Sequence, residues 1–454
     1  MSTLTGICNS ALSALNTYTY AISITSTNIS NSENSSYSRQ TAVLTTGTGG
    51  SGVDVAQTKR IYSLFLTERL RSATTELGKR DAENNTLASV EEVFTSTSSY
   101  GLSSAMDIFW SSWQEVVTDP TSSTALATLV ASAETLTNDL SSMSIDLSNI
   151  QKDIDTSVEV DVTNINDLVR QIAGMNRQIA DDKAAGVNTN ADEDSLDALV
   201  LSLSKLVDIT TYTDSSTGEI SVNLADGNPL VNGTTTCSLT TQTNATTGLQ
   251  DMLWTNGKNE SSVITGNITG GELGGYLDVR DSLIPAYKDK LDTLAATLVE
   301  AINSLCIAGY DSSGNAGTSF FTGTSAADIA VSSSIIADPT TIAVSSSSTT
   351  TNSSIAQAIA DLQNTSFTEL GGSTFSDYYD AMVSSVGSTA SSADSSYSAA
   401  SAKVTSCQTL RDSVSAVSTD EELVKLTLYQ NAYAAAAKAM TTVEELLKTL
   451  INSF

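Results

Sequence analysis

From Leu426 to Phe454 the apolar residues of this chain fall at Leu426, Tyr429, Tyr433, Ala436, Met440, Val443, Leu447, Leu450 and Phe454. Steps of three and four alternate without a break, which is the a/d seam of a coiled coil. Chain ends fray unless something ties them down, so a seam carried to the last side chain asks for a partner helix. The N-terminal stretch offers one. Leu4, Cys8, Ala11, Leu15, Tyr18, Ile22 and Ile29 keep the same spacing, with Thr25 the one polar break. Two seam-bearing helices at opposite ends of a chain point to self-assembly rather than to chemistry.

Composition agrees. At 454 residues the chain has length for two to four domains and ample core. Only 16% of residues are charged and 6% aromatic, and the net charge is −30. A surface that acidic repels phosphate backbones and anionic lipid, so neither nucleic acid nor membrane is expected as a partner. The charge itself reads as solubility. The first charged residue is Glu33, yet the neutral stretch before it has no Lys/Arg start, and Ser, Thr and Asn break every apolar run. It is therefore neither a signal peptide nor a membrane span. No other stretch of spanning length is apolar enough. A chain of this kind, if exported, leaves the cell without a cleaved signal peptide.

Chemistry has little to work with. The chain contains no histidine, and Cys8, Cys237, Cys306 and Cys407 are widely scattered with no C-x-x-C. Every histidine-dependent triad is excluded, and no zinc site is expected. Disulfides stay open, with isolated thiols in small apolar slots the favoured reading. Ser202 and Lys205 match S-x-x-K, but the stretch around them reads as an amphipathic helix. Asp192, Glu193 and Asp194 could hold a hard cation, yet a helix start suits them better. Asp311 and the glycines after it resemble a calcium loop only weakly; no acidic ligand closes the far end, so a plain turn is the reading. No catalytic, cofactor-binding or metal-binding residue is assigned, and no cofactor is expected.

The pattern along the chain predicts a mainly α fold: an elongated helical-bundle rod with paired N- and C-terminal coiled-coil helices and a small inserted β subdomain. Residues 1–34 and 420–454 form the terminal assembly domain. Residues 35–207, 271–344 and 355–419 form the helical rod. Val43, Gly47, Gly49, Gly50, Gly52, Val53 and Val55 mark short extended pieces and turns near its start. A helix over Leu102–Val116 stops at Asp119-Pro120. A periodic run carries apolar residues from Leu129 to Ile179; as one helix of about 60 residues it would reach about 90 Å, and a break into two helices at the Ile154-Val158-Val162 stutter would still give a rod. Residues 208–270 are β-prone with polar turns. Residues 345–354 are a Ser/Thr/Asn tract that reads as a flexible linker. Ser418-Thr419-Asp420-Glu421-Glu422 caps the last helix.

These residues resemble a known family. Thr27-Asn28-Ile29-Ser30-Asn31 and Tyr37-Ser38-Arg39-Gln40 are similar to the N-terminal signature of the flagellar hook-associated protein 1 (FlgK) family. The resemblance continues at Gly52-Val53-x-Val55, Arg60-x-Tyr62-x-x-Phe65 and Leu70-Arg71. It resumes at Gly271-Glu-Leu-Gly274-Gly275-Tyr276-Leu277, Arg280-Asp281 and Gly309-x-Asp311-x-x-Gly314-x-x-Gly317-x-x-Phe320-Phe321. It closes at Val417-Ser-Thr-Asp420-Glu421-Glu422-Leu423 and Tyr429-Gln430-x-Ala432-Tyr433. Departures are Ala416 for the usual Gly, Leu305-Cys306 for Gln-His, and Ala198 for Arg after Leu196-Asp197. The large β domain that many relatives insert after Phe320-Phe321 is absent. The alternatives are the hook protein or another axial protein, with a surface-displayed enzyme or adhesin further off; the hook protein usually has Gly-Phe-Lys or Gly-Tyr-Lys at the 37–40 position.

The resemblance implies a structural, non-enzymatic subunit joining hook to filament, needed for flagellum assembly and motility. It implies an extracellular place on the flagellum. It also implies contacts with copies of itself, the hook protein and the second junction protein, and a cytoplasmic export chaperone on the C-terminal helix. Tyr37, Arg39 and Gln40 join the two seams as expected assembly-interface residues.

Overall fold

The computed structural model describes residues 2–47, 52–95, 101–214, 216–258 and 260–453. Gly49, Gly50 and the seam residue Phe454 lie outside the described residues. Helix α1 (Ser2–Ser30) leads into a hairpin, β1 (Gln40–Thr46) and β2 (Val53–Arg60). The body follows with α2 (Leu64–Thr95), α3 (Leu102–Thr118), α4 (Ser123–Ala184) and α5 (Asn190–Leu206). Strands β3 (Ile209–Thr213), β4 (Ile220–Leu224), β5 (Pro229–Asn232) and β6 (Thr235–Thr236) form an antiparallel meander. A second meander holds β7 (Ser238–Thr243), β8 (Gln250–Thr255) and β9 (Ser261–Val263). Then come α6 (Gly271–Asp278), a π turn over Val279–Leu283, and α7 (Ile284–Ala308). A minimal pair, β10 (Phe321–Thr322) and β11 (Ala330–Val331), precedes α8 (Ser333–Ala337) and α9 (Ser354–Asp361). The chain closes with α10 (Phe375–Ser415) and α11 (Thr419–Asn452).

Helix α4 is the long rod that its periodicity predicts: 62 residues without a break, about 90 Å at 1.5 Å per residue. Ser122 caps its first turn, accepting from the Ala125 amide. Its buried stripe runs from Leu126 to Ile179 and forms the spine of the core. At one end, Phe109, Trp110 and Trp113 from α3 meet Phe320, Phe321 and Phe375, with neighbouring ring centroids 4.8–6.4 Å apart. Offset and edge contacts at such spacings add to the area the rings bury. At the other end α2 lies against α6 and α10. A Cβ at Gly275 would sit 2.4 Å from the Lys79 carbonyl oxygen, and one at Gly78 only 2.1 Å from that of Lys205. Only hydrogen fits between backbones that close, which accounts for two glycines where longer side chains would help the helix.

By length and composition, Gly271–Ala308 could cross a bilayer, contrary to the expectation that no stretch qualifies. Its apolar side chains serve the core instead: Leu273, Leu277, Leu291, Leu294, Leu298 and Ile302 are all buried. The π turn at 279–283 sets Arg280 inward, 2% exposed. Its Nη1 donates to Asp155 Oδ1 at 2.6 Å and to the Gln250 carbonyl at 2.8 Å, while its Nε and Nη2 grip both oxygens of Asp281. Asp155 Oδ2 in turn accepts from the Gln250 amide at 3.1 Å. One guanidinium thus ties the rod helix, the π turn and the second β meander together.

Residues 345–354 form a tied loop. Ser345 is fully buried, and its Oγ donates towards the Ser347 and Thr350 carbonyls and accepts from the Ser347 and Asn352 amides. Asp311 builds the turn expected of it, accepting from the Ser313 and Asn315 amides, both at 2.8 Å. Ser202 bonds back to the Ala198 carbonyl while Lys205 pairs with Asp81 and Glu272, so the S-x-x-K match is ordinary helix surface. All four cysteines are free. Burial pushes the Cys306 thiol up to about 12, which keeps it unreactive at neutral pH.

Asp161 is the strained carboxylate of the body. It lies buried on α4, with one oxygen lacking any hydrogen-bond partner. Burial, then the neighbouring Glu272 charge, push its pKa up to about 7 against the opposing pull of Lys205. The raised pKa means that folding disfavours the charged form. That cost is absent below the ordinary carboxylate range, grows as pH rises from about 4 to about 7, and is constant above. Asp161→Asn should therefore stabilise the chain at pH 8 by on the order of 2 kcal/mol and by almost nothing at pH 4. Thermal melts of both proteins across that range measure it, and a pH-independent difference would refute the assignment.

Candidate assembly interface

The two terminal helices find each other. α1 and α11 pack antiparallel, and three levels fix the register. Near one end Cys8 Sγ lies 3.5 Å from Met440 Sδ. In the middle the rings of Tyr18 and Tyr429 stack with centroids 6.4 Å apart. At the other end Asn28 Nδ2 donates to Glu422 Oε2 at 2.9 Å. Every described residue of the N-terminal seam is buried or half-buried: Leu4, Cys8, Ala11, Leu15, Tyr18, Ile22 and Ile29. The break at Thr25 is buried too, its hydroxyl returned to the Ala21 carbonyl at 2.9 Å. On α11, Val443 is buried and Leu426, Tyr429, Ala436, Met440 and Leu447 are half-buried, while Tyr433 and Leu450 remain exposed. The cap is as the sequence reads: Ser418 Oγ accepts from the Glu421 amide, with Asp420, Glu421 and Glu422 in the first turn.

Below the pair lies a buried polar joint. Asn28 is fully buried, and its side chain meets four groups. Its Nδ2 donates to Glu422 and to the Gln40 carbonyl; its Oδ1 accepts from the Tyr37 hydroxyl at 2.7 Å and the Gln40 amide at 3.0 Å. Glu422, 1% exposed, also pairs with Lys425 Nζ at 2.6 Å. Burial, with the Asp194 and Glu422 charges beside it, raises the Tyr37 phenol to about 12, so it stays a donor at any ordinary pH. Arg39 reaches Glu421 at 2.7 Å, and its backbone amide bonds the Ser415 carbonyl. Tyr37, Arg39 and Gln40 are thus placed inside one chain, where they connect the first helix, the hairpin and the last helix.

A second layer continues into the body. Asp194 on α5 accepts from the Ser38 amide at 2.9 Å and pairs with Arg60 at 2.9 Å. Arg60 also reaches Asp197 at 3.0 Å and lies over the Tyr62 ring, 4.4 Å from its centroid. Arg71 completes the set, 3.3 Å from Asp197 and bonded to Thr211. The cluster Asp192-Glu193-Asp194 is a helix start that feeds ion pairs. Buried ion pairs of this kind gain little net stability but are very costly to break on one side, so they fix geometry. From the sequence, Glu422 reads as part of the acidic first turn of the last helix and Asn28 only as a signature residue. The clue was available: an amide and a carboxylate on faces that both helices must turn inward.

Among the described residues no group of three His, Cys, Asp or Glu could hold a metal ion. The geometry defines a class: a polymer subunit whose two chain ends form one helical module, clamped to a rigid body by a buried polar joint. The flagellar hook-associated protein FlgK helical-domain model matches residues 87–321, and the flagellar basal body rod FlgEFG C-terminal model matches 411–453. The chain belongs to the FlgK family and is a structural protein of the flagellar hook–filament junction. Flagellar hook-associated protein 1 of Bacillus subtilis is 27% identical over 99% of this chain and 98% of its own length. That of Escherichia coli is 25% identical over 99% of this chain and all of its own length. The structure of the flagellar hook junction protein FlgK from Burkholderia pseudomallei superposes with a TM-score of 0.69 at 16% identity, covering 76% of this chain and 99% of its own.

Proposed function

We propose that the α1–α11 pair is the assembly module, and that the body acts as the adaptor that sets hook and filament in register. One observation carries this reading: the two ends of the chain form a single helical module that still turns apolar side chains outward. A polymer subunit needs such a surface, and no reacting group is required for it. On this reading the chain contacts copies of itself, the hook protein on one side and the second junction protein on the other. An export chaperone covers α11 before assembly, and the chain reaches the flagellum without a cleaved leader.

Deletion of the gene tests the adaptor role. Such cells should build complete hooks, release filament subunits into the medium and fail to swim, as seen by electron microscopy and immunoblotting of the medium. Normal filaments on deletion cells would defeat the proposal; loss of the hooks themselves would move the role to the hook.

A further inference from the structure

A cavity of about 460 Å³ opens between the loop after α1, the start of α2, α5 and the end of α10. That volume is within the range of small-molecule sites. Leu70 on α2, Leu201 on α5 and Tyr62 give it an apolar side. Asp194 and Asp197 from α5 and Asp412 from α10 give it carboxylates, and Arg411 and Ser415, also on α10, complete the polar wall. Ser415 is 3% exposed, yet its Oγ has no hydrogen-bond partner in the chain. Arg411 Nε is buried and unpartnered too, lying 3.3 Å from Asp412 Oδ1 without making a hydrogen bond. Buried polar atoms are nearly always bonded, so two such atoms on one wall point to a ligand that bonds them.

We propose that this cavity binds a neutral saccharide unit. Charge decides against an ion. Asp194 and Asp197 are held by Arg60 and Arg71, and Asp412 by Arg411. Three carboxylates beside three guanidiniums leave no net charge to draw an anion or a cation. Hydrogen-bond capacity decides for hydroxyls. Asp194 accepts from Arg60 and the Ser38 amide, and Asp412 from Gln408, while a carboxylate offers about four acceptor sites. The wall therefore has acceptors to spare, beside two donors in the Ser415 hydroxyl and Arg411 Nε–H. A sugar hydroxyl donates and accepts at once, and a pyranose ring has a C–H face for Leu70 and Leu201. A sugar bound here would join the loop at Ser36 and Ser38 to α5 and α10, below the terminal helix pair. Such a site is independent of whether that pair mediates assembly.

Saturation-transfer NMR on the full-length chain with D-glucose, D-galactose and N-acetyl-D-glucosamine tests this. At least one should bind saturably below about 10 mM, a modest affinity and well under the concentrations at which sugars stabilise proteins by exclusion. Ser415→Ala should weaken that binding about three- to tenfold and leave the melt unchanged, because the hydroxyl holds nothing in the chain itself. Ala198→Phe, which fills the cavity from α5, should abolish binding. A tetrasaccharide ending in the bound sugar separates two sources: equal affinity marks the end of a glycan chain, and a loss of tenfold or more marks the free sugar. Absence of saturable binding by all three sugars would overturn the proposal. So would affinity unchanged in Ser415→Ala, binding that survives Ala198→Phe, or tighter binding of guanidinium or sulfate than of sugar. If Ala198→Phe lowers the melt, the Ser415→Ala affinity decides alone.

Discussion

Arg280→Met should destabilise the body by about 3–5 kcal/mol, the cost of breaking a buried ion pair on one side. The guanidinium is almost fully enclosed and serves Asp155, Asp281 and the Gln250 carbonyl at once. Methionine fills much of the volume but leaves the Asp155 carboxylate in the core with only the Gln250 amide. Asp281, less enclosed, can turn to water. Arg280→Lys should fall between, because an ammonium keeps the charge and loses the planar fork that holds two carboxylates. The loss should appear in denaturant midpoints followed by far-ultraviolet circular dichroism, together with tryptophan fluorescence, to which Trp254 contributes from the strand that Gln250 opens. A change below 1 kcal/mol for methionine would mean that the π turn and meander hold without the arginine.

Periodicity revealed the helices because one face of each is buried for most of its length. α4 is the clearest case: Leu129, Leu136, Leu140, Leu147 and Ile154 repeat because each meets the same packed layer. The pairing of the chain ends was legible for the same reason, as both seams are apolar on one side only. The joint was less so. The Asn28–Gln40 stretch, Asp194 and Glu422 are far apart in sequence, and their shared role exists only once the fold has brought them within hydrogen-bond distance. A spacing rule reports local geometry; it has no term for a carboxylate on one element choosing an amide on another. The Ser/Thr tract at 345–354 shows the converse. Its composition matches that of a flexible linker, yet a single buried hydroxyl at Ser345 organises the backbone around it.

Met440→Asp together with Val443→Asp should abolish motility while sparing the fold of the body. Val443 is the most buried residue of the terminal seam and Met440 meets Cys8 across it. An ionised carboxylate left unpaired at either site costs several kcal/mol, more than the contact with an N-terminal helix so rich in Ser and Thr can spare. The polar joint at Asn28 and Glu422 lies about five to six helical turns away along α11 and should keep its bonds. The isolated variant should therefore lose helical dichroism from the terminal pair but retain the main melting transition. Thr441→Asp, exposed between the two sites, should change neither reading. If the main transition of the double variant also falls by several kcal/mol, the terminal pair folds as one unit with the body. If the cells still swim, the α1–α11 seam is not what the flagellum needs from this chain.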